Sequence, residues 1–235
     1  MIRLATNMFI SNVWLLEHQG KRYLVDTGYT LERLQLRARL HRWGIRGKGD
    51  LHGVILTHRH GDHAANAAWL RQTYDAPIIC HEADARILCG ECPAPKLVGV
   101  PKQSWYERVV CTFEDLSPVR VKVDESLSEG RWRNDWEIID VHGHTEGSIM
   151  LQHLPSATLF SGDAILAGPA PQRLFERLTM AMPGFSLDVG STHQLVQAYV
   201  ERLQGAAPIR QLCAGHGPLV DKDTTHKLRA MVGVS

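Results

Sequence analysis

The 235-residue chain has almost no net charge and no long apolar run. Lys and Arg together number 26 and Asp and Glu 25, so the formal net charge of +1 provides no global field to attract nucleic acid or a membrane. No uninterrupted apolar run approaches the roughly 20 residues that a membrane-spanning helix needs. Residues 1–20 lack a long apolar core behind a basic start, so no signal peptide is evident. We therefore expect a cytoplasmic protein with no membrane partner.

Cysteine is scarce, and its number is odd. Five cysteines in a chain of this length predict reduced thiols and no disulfide scaffold. Cys89 and Cys92 form a Cys-x-x-Cys pair that, with Cys80, His81 or Cys111, would suit a structural zinc ion or a redox pair. A second such pair is missing from the sequence, so we favour a structural role for these thiols and for His81.

A basic helix is the only argument for a nucleic-acid partner. Residues 30–43 are typical of an amphipathic helix, and we predict that Leu31, Leu34, Ala38 and Leu40 face inward. Several arginines follow one another along this segment, but no aromatic cluster is interleaved with them. The pattern favours a solvated helix face, and no nucleic-acid partner is expected.

The remaining composition is that of an ordinary globular domain. Hydrophobic residues make up 44% of the chain and charged residues 22%, and the length suffices for a substantial core. We find no internal repeat, low-complexity segment or linker, so residues 1–235 are predicted to form a single domain. Residues 90–117 and 164–185 look irregular, as in a lid or a pocket wall.

What the sequence does contain is a histidine-rich turn at residues 57–63. An apolar β-type run precedes the turn and a helical run follows it, so three imidazoles and a carboxylate are crowded together. In an extended segment His58 and His60 point the same way, because side chains alternate with period two. Asp62 and His63 lie just beyond and can aim at a second point nearby. Such nitrogen and oxygen donors suit zinc, iron, nickel or manganese.

Further candidate ligands stand at the ends of later predicted strands, each beside glycine. They are His144 in Gly-His-Thr, Asp163 in Ser-Gly-Asp and His216 in Gly-His-Gly. Each of them is a weak signal alone, since a Gly-His-Gly run is more often a turn than a ligand. In this order, and together with the histidine-rich turn, they predict a metal site.

With these motifs the sequence resembles the metallo-β-lactamase superfamily of hydrolases over essentially its full length. Residues 25–28, Val-Asp-Thr-Gly, look like the family's first motif, and the turn, His144, Asp163 and His216 look like the second to the fifth. The resemblance implies an α/β fold, a four-layer αββα sandwich of the metallo-β-lactamase type, with metals at one edge between the two sheets. It also implies that Asp26 orients the metal site from behind, whereas the residue alone could equally cap a helix.

The same resemblance implies two divalent metal ions per chain, for which we favour zinc, with iron or manganese as alternatives. The implied ligands form two sets that share a bridging carboxylate: His58, His60 and His144; Asp62, His63 and His216; and Asp163 between them. Two such cations would supply a hydroxide nucleophile near neutral pH. Asp62 is the predicted catalytic residue, which orients that nucleophile and passes a proton to the leaving group.

The favoured substrate is a small molecule with a thioester, ester or lactone bond. β-Lactamases of the commonest zinc class have a cysteine where Asp163 stands, and the similar lactonases have a tyrosine where Leu166 stands. Glyoxalase II enzymes share the Gly-His-Thr and Ser-Gly-Asp motifs. Their glutathione site draws on a helical extension, for which only residues 217–235 remain. We therefore predict a short glyoxalase II-like or lactonase-like hydrolase.

Three residues outside these motifs are predicted to contact the substrate. Arg173 is the candidate for gripping an anionic group, although a surface arginine is the default. Met8 and Phe9 stand ahead of a predicted strand and would line the entrance, with plain packing as the alternative. The sequence is also compatible with a homodimer.

Three other functions are left open by the sequence. A persulfide dioxygenase would use one iron held by His58, His60 and either Asp163 or His144, and would consume oxygen. A phosphodiesterase or nuclease would bind its substrate with a steep dependence on salt. A metal-binding ligand sensor of the same fold would have lost the chemistry altogether.

Overall fold

Two β-sheets pack face to face because their strands are apolar on both sides. The computed structural model describes the backbone of residues 2–6, and residues 11–168 and 176–234 in full. The strands, in chain order, are β1 (Ile2–Thr6), β2 (Val13–His18), β3 (Lys21–Val25), β4 (Gly53–Ile55), β5 (Ile78–His81), β6 (Glu125–Leu127), β7 (Gly130–Trp132), β8 (Trp136–Asp140), β9 (Ile149–His153), β10 (Thr158–Gly162), β11 (Ile165–Leu166), β12 (Thr179–Met180) and β13 (Gln211–Ala214).

Each sheet is mixed. The first has six strands in the order β1-β2-β3-β4-β5-β6, antiparallel up to β3 and parallel from β3 onward. The second has the order β13-β10-β9-β8-β7, in which only β10 and β13 are parallel. The β2–β3 hairpin turns at Gln19 and Gly20, both with positive φ.

Helices cover the outer faces of both sheets. They are α1 (Arg33–Arg42), α2 (Gly61–Ala64), α3 (Ala67–Tyr74), α4 (Glu82–Leu88), α5 (Trp105–Leu116), α6 (Val189–Arg202) and α7 (Thr224–Met231), with short 3-10 turns at Thr30–Glu32 and Pro183–Phe185. Apolar side chains of α1, α3 and α4 pack on the first sheet, and those of α6 and α7 on the second. None of the helices in the described ranges has the length and apolar character needed to cross a bilayer.

The alternation along β2 shows why four layers form. Val13 and Leu15 pack in the core between the first sheet and its helices, whereas Trp14 and Leu16 pack in the core between the two sheets. A strand with two apolar faces needs a covering layer on each side. The predicted four-layer αββα sandwich is confirmed.

The cysteines occupy the places that a structural role requires. Cys80, Cys111 and Cys213 are buried, as predicted, and all five thiols are free. Cys89 is exposed and Cys92 partly so, at the point where α4 ends.

Helix α1 buries a different face from the predicted one. Leu36 and Leu40 are fully buried, whereas Leu31 and Leu34 are 83% and 79% exposed, and Ala38 is exposed as well. Residues four apart share a helix face, so burial of Leu36 together with Leu40 turns the other three away from the core. The prediction was right for Leu40 and wrong for Leu31, Leu34 and Ala38.

The predicted irregular stretches are more regular than expected. Residues 105–116 form α5, and the β11–β12 ribbon lies within residues 164–185, so the prediction was wrong there. The Ser104 hydroxyl accepts a hydrogen bond from the Glu107 N–H, and the Glu107 carboxylate accepts one from the Ser104 N–H. This capping box was visible in the sequence as Ser-x-x-Glu.

Helix α5 has an unusual orientation, with carboxylates facing inward and apolar side chains facing outward. Glu107 and Cys111 are buried, and Glu114 is partly buried on the same face. Six large apolar side chains are exposed on the rest of the helix: Trp105, Tyr106, Val109, Val110, Phe113 and Leu116. An apolar surface next to a polar inner face is typical of a helix with a binding role.

Candidate metal centre

The histidine-rich turn joins β4 to α2 at one edge of the sandwich. His60 lies in an extended conformation immediately before α2, and α2 carries Asp62 and His63. The predicted single helix after the turn is divided in two, because Asn66 lies between α2 and α3. Its side-chain amide donates to the carbonyl of Thr27 at 2.9 Å, which ties this break to the end of β3.

Three histidines form the first group of donors. One ring nitrogen each from His58, His60 and His144 lies within 4.8 Å of the others. His58 and His60 come from the turn, whereas His144 comes from the loop before β9. All three side chains are buried, so these nitrogens converge in the interior of the protein.

A carboxylate and two imidazoles form the second group. Donor atoms of Asp62, His63 and His216 also lie within 4.8 Å of one another. The Asp62 Oδ2 atom is 3.4 Å from His63 Nε2 and 3.3 Å from His216 Nε2. His216 reaches this group from the loop after β13, at the far end of the chain.

Asp163 lies between the two groups, just after β10. Its Oδ1 atom is 3.1 Å from His63 Nε2 and 3.3 Å from His216 Nε2, in the second group. Its Oδ2 atom is 3.7 Å from His144 Nε2, in the first group. The two oxygens of one carboxylate therefore face separate sets of donors. All seven residues that the sequence singled out as ligands meet at this point.

The donor atoms themselves show whether a cation fits. Three buried nitrogens of the first group lack a hydrogen-bond partner: Nε2 of His58, His60 and His144. A buried polar atom left unsatisfied costs about 1–3 kcal/mol, and such atoms are rare unless they have a functional role. Imidazole and carboxylate donors in this arrangement suit divalent transition-metal ions.

Burial holds the first group in its neutral form. It lowers the pKa of His58 and of His60 well below the usual range, and neighbouring histidines lower both further. Burial also lowers the pKa of His144 to about 4. A neutral imidazole is the form that can donate a lone pair to a cation.

The second group behaves differently because carboxylates surround its histidines. Burial alone would lower the pKa of His63 and His216, but Asp62 and Asp163 outweigh it. The pKa of His63 is raised well above the usual range, and that of His216 to about 10. This group therefore retains protons that a bound cation would displace.

The chain is similar to known proteins over most of its length. The family profile of the Metallo-beta-lactamase superfamily matches residues 6–216. This chain belongs to the metallo-beta-lactamase superfamily. Similar solved structures include the BLEG-1 B3 metallo-beta-lactamase, with a TM-score of 0.65, 19% identity and coverage of 98% of this chain and 97% of that one. Another is TTHA1623 in a di-iron-bound form, with a TM-score of 0.62, 21% identity and coverage of 94% and 93%.

Curated relatives of this superfamily member are distant. The protein named "Probable metallo-hydrolase YybB" of Bacillus subtilis is 23% identical over 88% of this chain and 80% of its own length. A hydroxyacylglutathione hydrolase of Cereibacter sphaeroides is 30% identical over 62% of this chain and 49% of its own length. A second, from Bdellovibrio bacteriovorus, is 29% identical over 55% and 40%. The matched region thus spans less than half of either hydroxyacylglutathione hydrolase.

Asp26 lies behind the metal centre, where the superfamily motif placed it. Its Oδ2 atom accepts a hydrogen bond from Nδ1 of His63 at 2.9 Å. The Thr57 hydroxyl donates to Asp26, so its oxygen is left to accept from His58 Nδ1, 3.0 Å away. Both histidines therefore carry their proton on Nδ1 and present Nε2 to the donor cluster.

Ser186 supports His144 in the same way, and sequence reasoning missed it. Its hydroxyl donates to the carbonyl of Met182 at 2.8 Å, so its oxygen accepts from Nδ1 of His144 at 3.0 Å. The Nε2 atom of His144 is thereby directed at the cluster. No local signal marks this serine, which is far from His144 in the chain.

Asp84 is a second supporting residue that the sequence did not reveal. This fully buried carboxylate in α4 accepts hydrogen bonds from the Arg59 N–H and the Thr145 hydroxyl, both at 2.8 Å. It also accepts from the Gly147 N–H at 3.0 Å. Asp84 therefore joins the histidine-rich turn, which carries His58 and His60, to the loop that carries His144.

Glu114 of α5 reaches the turn from outside. It accepts a hydrogen bond from the Gly61 N–H, at 2.9 Å, between two of the proposed ligands. Burial and the nearby Asp62 carboxylate raise the pKa of Glu114 to about 7. A Cβ on Gly61 would lie 2.9 Å from the Glu114 carboxylate and 3.5 Å from the Tyr29 ring, so a larger residue there would displace the Glu114 side chain.

Gly215 shows how tightly the last ligand is held. A Cβ at this position would lie 2.5 Å from Asp163 Oδ1 and 2.7 Å from His63 Cε1. The glycine before His216 therefore lets the chain approach the donor cluster closely. Glycine beside a candidate ligand was the signal that the sequence offered.

The three predicted substrate contacts cannot be placed. Met8, Phe9 and Arg173 lie outside the described residues. Leu166, where similar lactonases have a tyrosine, is buried in β11.

Proposed function

We propose that this superfamily member is a metal-dependent hydrolase that uses two divalent ions to cleave a thioester, ester or lactone of a small molecule. The position of Asp163 carries the proposal, because its two oxygens face separate sets of donors. A carboxylate placed in this way can bridge two cations at the spacing of about 3.5–4 Å that two-metal hydrolytic sites use.

The proposed ligands divide as the donor groups do. The first ion would be held by His58, His60 and His144, the second by Asp62, His63 and His216, and Asp163 would bridge them. Zinc suits these donors, and iron or manganese would bind to the same set. Bound there, the ions supply Lewis acidity and lower the pKa of water toward neutrality.

Asp62 is the proposed catalytic residue. Its backbone carbonyl accepts a hydrogen bond from the Ser11 hydroxyl, and the carbonyl of the adjacent His63 accepts one from the Thr27 hydroxyl at 2.8 Å. These contacts hold the backbone of α2 while the Asp62 carboxylate faces the donor cluster. From this position the carboxylate orients the attacking water, takes up its proton and passes it to the leaving group.

The choice of the bond that is cleaved rests on two of the relatives and on Leu166. Two relatives are hydroxyacylglutathione hydrolases, which supports a thioester. Leu166 is apolar and offers no hydroxyl to stabilise an oxyanion, which weighs against a lactone cleaved with tyrosine assistance. A thioester is therefore the first substrate class to test.

The experiment is elemental analysis of the purified protein, followed by a panel of one thioester, one lactone and one phosphodiester. We expect about two transition-metal ions per chain, in line with two-metal sites. Thioester or lactone hydrolysis should disappear on chelation and return when zinc is added. Full activity in the metal-depleted protein would contradict the proposal.

Oxygen uptake is measured in parallel with a glutathione persulfide. Uptake with one iron per chain, and no hydrolysis of the panel, would replace the hydrolase by the dioxygenase alternative. The single domain, the cytoplasmic location, the absence of a nucleic-acid partner and the homodimer stay predictions.

A further inference from the structure

Helix α5 lies across the edge of the metal centre and contacts it at two points. Glu114 accepts the hydrogen bond of the Gly61 N–H on the histidine-rich turn. The Cys111 thiol donates to the carbonyl of Gly184 at 3.6 Å. Gly184 lies in the 3-10 turn that leads to Ser186, the support of the third histidine. The helix therefore joins the histidine-rich turn to the 3-10 turn that leads to Ser186.

The two flanks of α5 differ in what covers them. On one flank Asp115 accepts a hydrogen bond from the Leu97 N–H at 2.8 Å, so the preceding loop lies against it. On the other flank stands Val110, one turn before Glu114 and therefore beside it on the helix surface. Val110 is 38% exposed, and the neighbouring Phe113 is exposed as well. The flank that carries Val110, beside Glu114, is thus apolar and exposed.

An aromatic side chain also lies beside the turn. The Tyr29 ring lies 3.5 Å from the point that a Gly61 Cβ would occupy. Leu31 and Leu34 follow it closely in the chain and are exposed, without a role in the core. Met182, whose carbonyl holds Ser186, is also exposed. The Tyr29 ring therefore adjoins the turn beside Glu114.

Among the described residues, the charges beside the turn disfavour an anionic substrate tail. The Glu114 carboxylate is the charged group that α5 directs at the turn. Arg59, the arginine of the turn itself, is 5% exposed and pairs with Asp84 and Glu146. A neutral apolar chain can lie on the surface beside the turn without losing the hydration of a charge.

We propose that the substrate carries an apolar acyl chain, which lies along the Val110 flank of α5 while its carbonyl carbon reaches the metal centre. This inference rests on the proposed hydrolase function and names the acyl group that it acts on. Because each buried methylene contributes about 0.8 kcal/mol, kcat/KM should rise up to about fourfold per methylene while the chain still gains contact.

The first experiment uses acyl thioesters of one small thiol, with straight chains from acetyl to dodecanoyl. We expect kcat/KM to rise with chain length and then level off where α5 ends. A flat profile in an enzyme that hydrolyses the acetyl thioester would overturn the acyl proposal and leave the hydrolase proposal intact.

A binding measurement separates the two proposals if no thioester is cleaved. Straight-chain primary amides of the same lengths carry no cleavable thioester and no charge. Their Kd should fall with each added methylene, with a negative heat-capacity change from apolar burial. Chain-length-independent Kd values would contradict the acyl proposal whatever the activity.

Two adjacent valines provide a matched pair of variants. Val109 and Val110 are 48% and 38% exposed, but successive residues on a helix point about 100° apart, so only Val110 shares the Glu114 flank. Val110→Ser should lower the ratio of kcat/KM for dodecanoyl thioester to kcat/KM for acetyl thioester roughly tenfold, since several methylenes lose contact. Val109→Ser should leave both unchanged.

Other occupants of the α5 face would give different results. If a second copy covers the face, both serine variants should shift the protein from dimer to monomer in light scattering, with equal effects on all chain lengths. If a bilayer covers it, both should abolish co-sedimentation with phosphatidylcholine vesicles. Either outcome would overturn the acyl proposal.

Discussion

Two clusters of histidines lie at opposite ends of the β9 strand, and they differ in the carboxylates that face them. At the near end, His144 and its partners converge on Asp163. At the far end, the rings of His18 and His153 meet edge to face, with centroids 4.7 Å apart, and His153 also contacts Trp136. The His153 Nδ1 atom is 2.7 Å from the Ser156 hydroxyl.

The difference between the clusters shows that buried imidazoles alone do not make a metal centre. Burial and the adjacent His18 lower the pKa of His153 to about 4, so it packs as a neutral aromatic ring. Asp135, the acid beside His18, is 3.6 Å away and 35% exposed. At the near end two carboxylates enter the cluster and face five imidazoles. Convergence of acids with histidines is what distinguishes the metal centre.

The largest effect is expected from substitutions that remove donors from the near cluster alone. His60→Ala or Asp163→Ala should lower kcat/KM on the order of a thousandfold or more, because the ions and their chemistry are lost. Elemental analysis and steady-state kinetics measure both effects. His153→Ala in the far cluster should keep metal and activity. Wild-type metal content and activity in His60→Ala would remove the distinction between the clusters.

A smaller effect is expected from the residue that orients the near cluster. Asp26→Ala leaves His63 Nδ1 without its acceptor and should weaken metal affinity about 10- to 100-fold. Competition with a chromophoric chelator measures the change. Asp135→Ala removes the acid of the far cluster and serves as the control, with unchanged affinity. Equal losses in both variants would point to a general fold defect.

Substitution of Glu114 should have a smaller effect still, because this side chain acts through a hydrogen bond to the backbone of the turn. Glu114→Ala leaves the Gly61 N–H without its partner, and kcat should fall roughly tenfold with little change in metal content. Glu114→Gln keeps an acceptor oxygen and should recover most of the loss. If glutamine is as damaging as alanine, the hydrogen bond is not what matters.

The smallest effect concerns the far cluster and appears only in acid. The His153 pKa is lowered from 6.5 unfolded to about 4 folded, so the unfolded state takes up the proton first as pH falls. Stability from neutral His153 is present above pH 6.5 and is lost between pH 6.5 and 4. As the pH falls from 7 to 5.5, the free energy of unfolding of His153→Gln should therefore decrease by about 1 kcal/mol less than that of the wild type. Urea unfolding at the two pH values measures this, and parallel curves would contradict it.

Much of the scaffold followed from local patterns. The β2–β3 hairpin, the strands before each ligand and the helix after His81 were all predictable, because alternation and turn residues act over a few positions. The ligand positions were equally visible, since each stands at a strand end beside glycine. Proximity of the seven side chains followed from the superfamily resemblance and not from any period in the chain.

The supporting residues could not have been found in this way. Asp84 reaches Gly147 across 63 positions, and Glu114 reaches Gly61 across 53. An acid in a helix carries no mark of such a distant contact. The prediction of the inward face of α1 was wrong for a related reason. Leu31 and Leu34 are as apolar as the residues that are buried in the core, so hydrophobicity alone does not show which of them face inward.

By itself the sequence determined which side chains can donate to a metal ion and at which strand ends they lie, because strand ends and glycine turns depend on neighbouring residues. Only the tertiary structure decided that Asp163 faces both donor groups, that Asp26 and Ser186 set the tautomers, and that α5 turns its carboxylates inward. Those features depend on groups far apart in the chain meeting in a buried space, where hydrogen bonds and charges must be satisfied together.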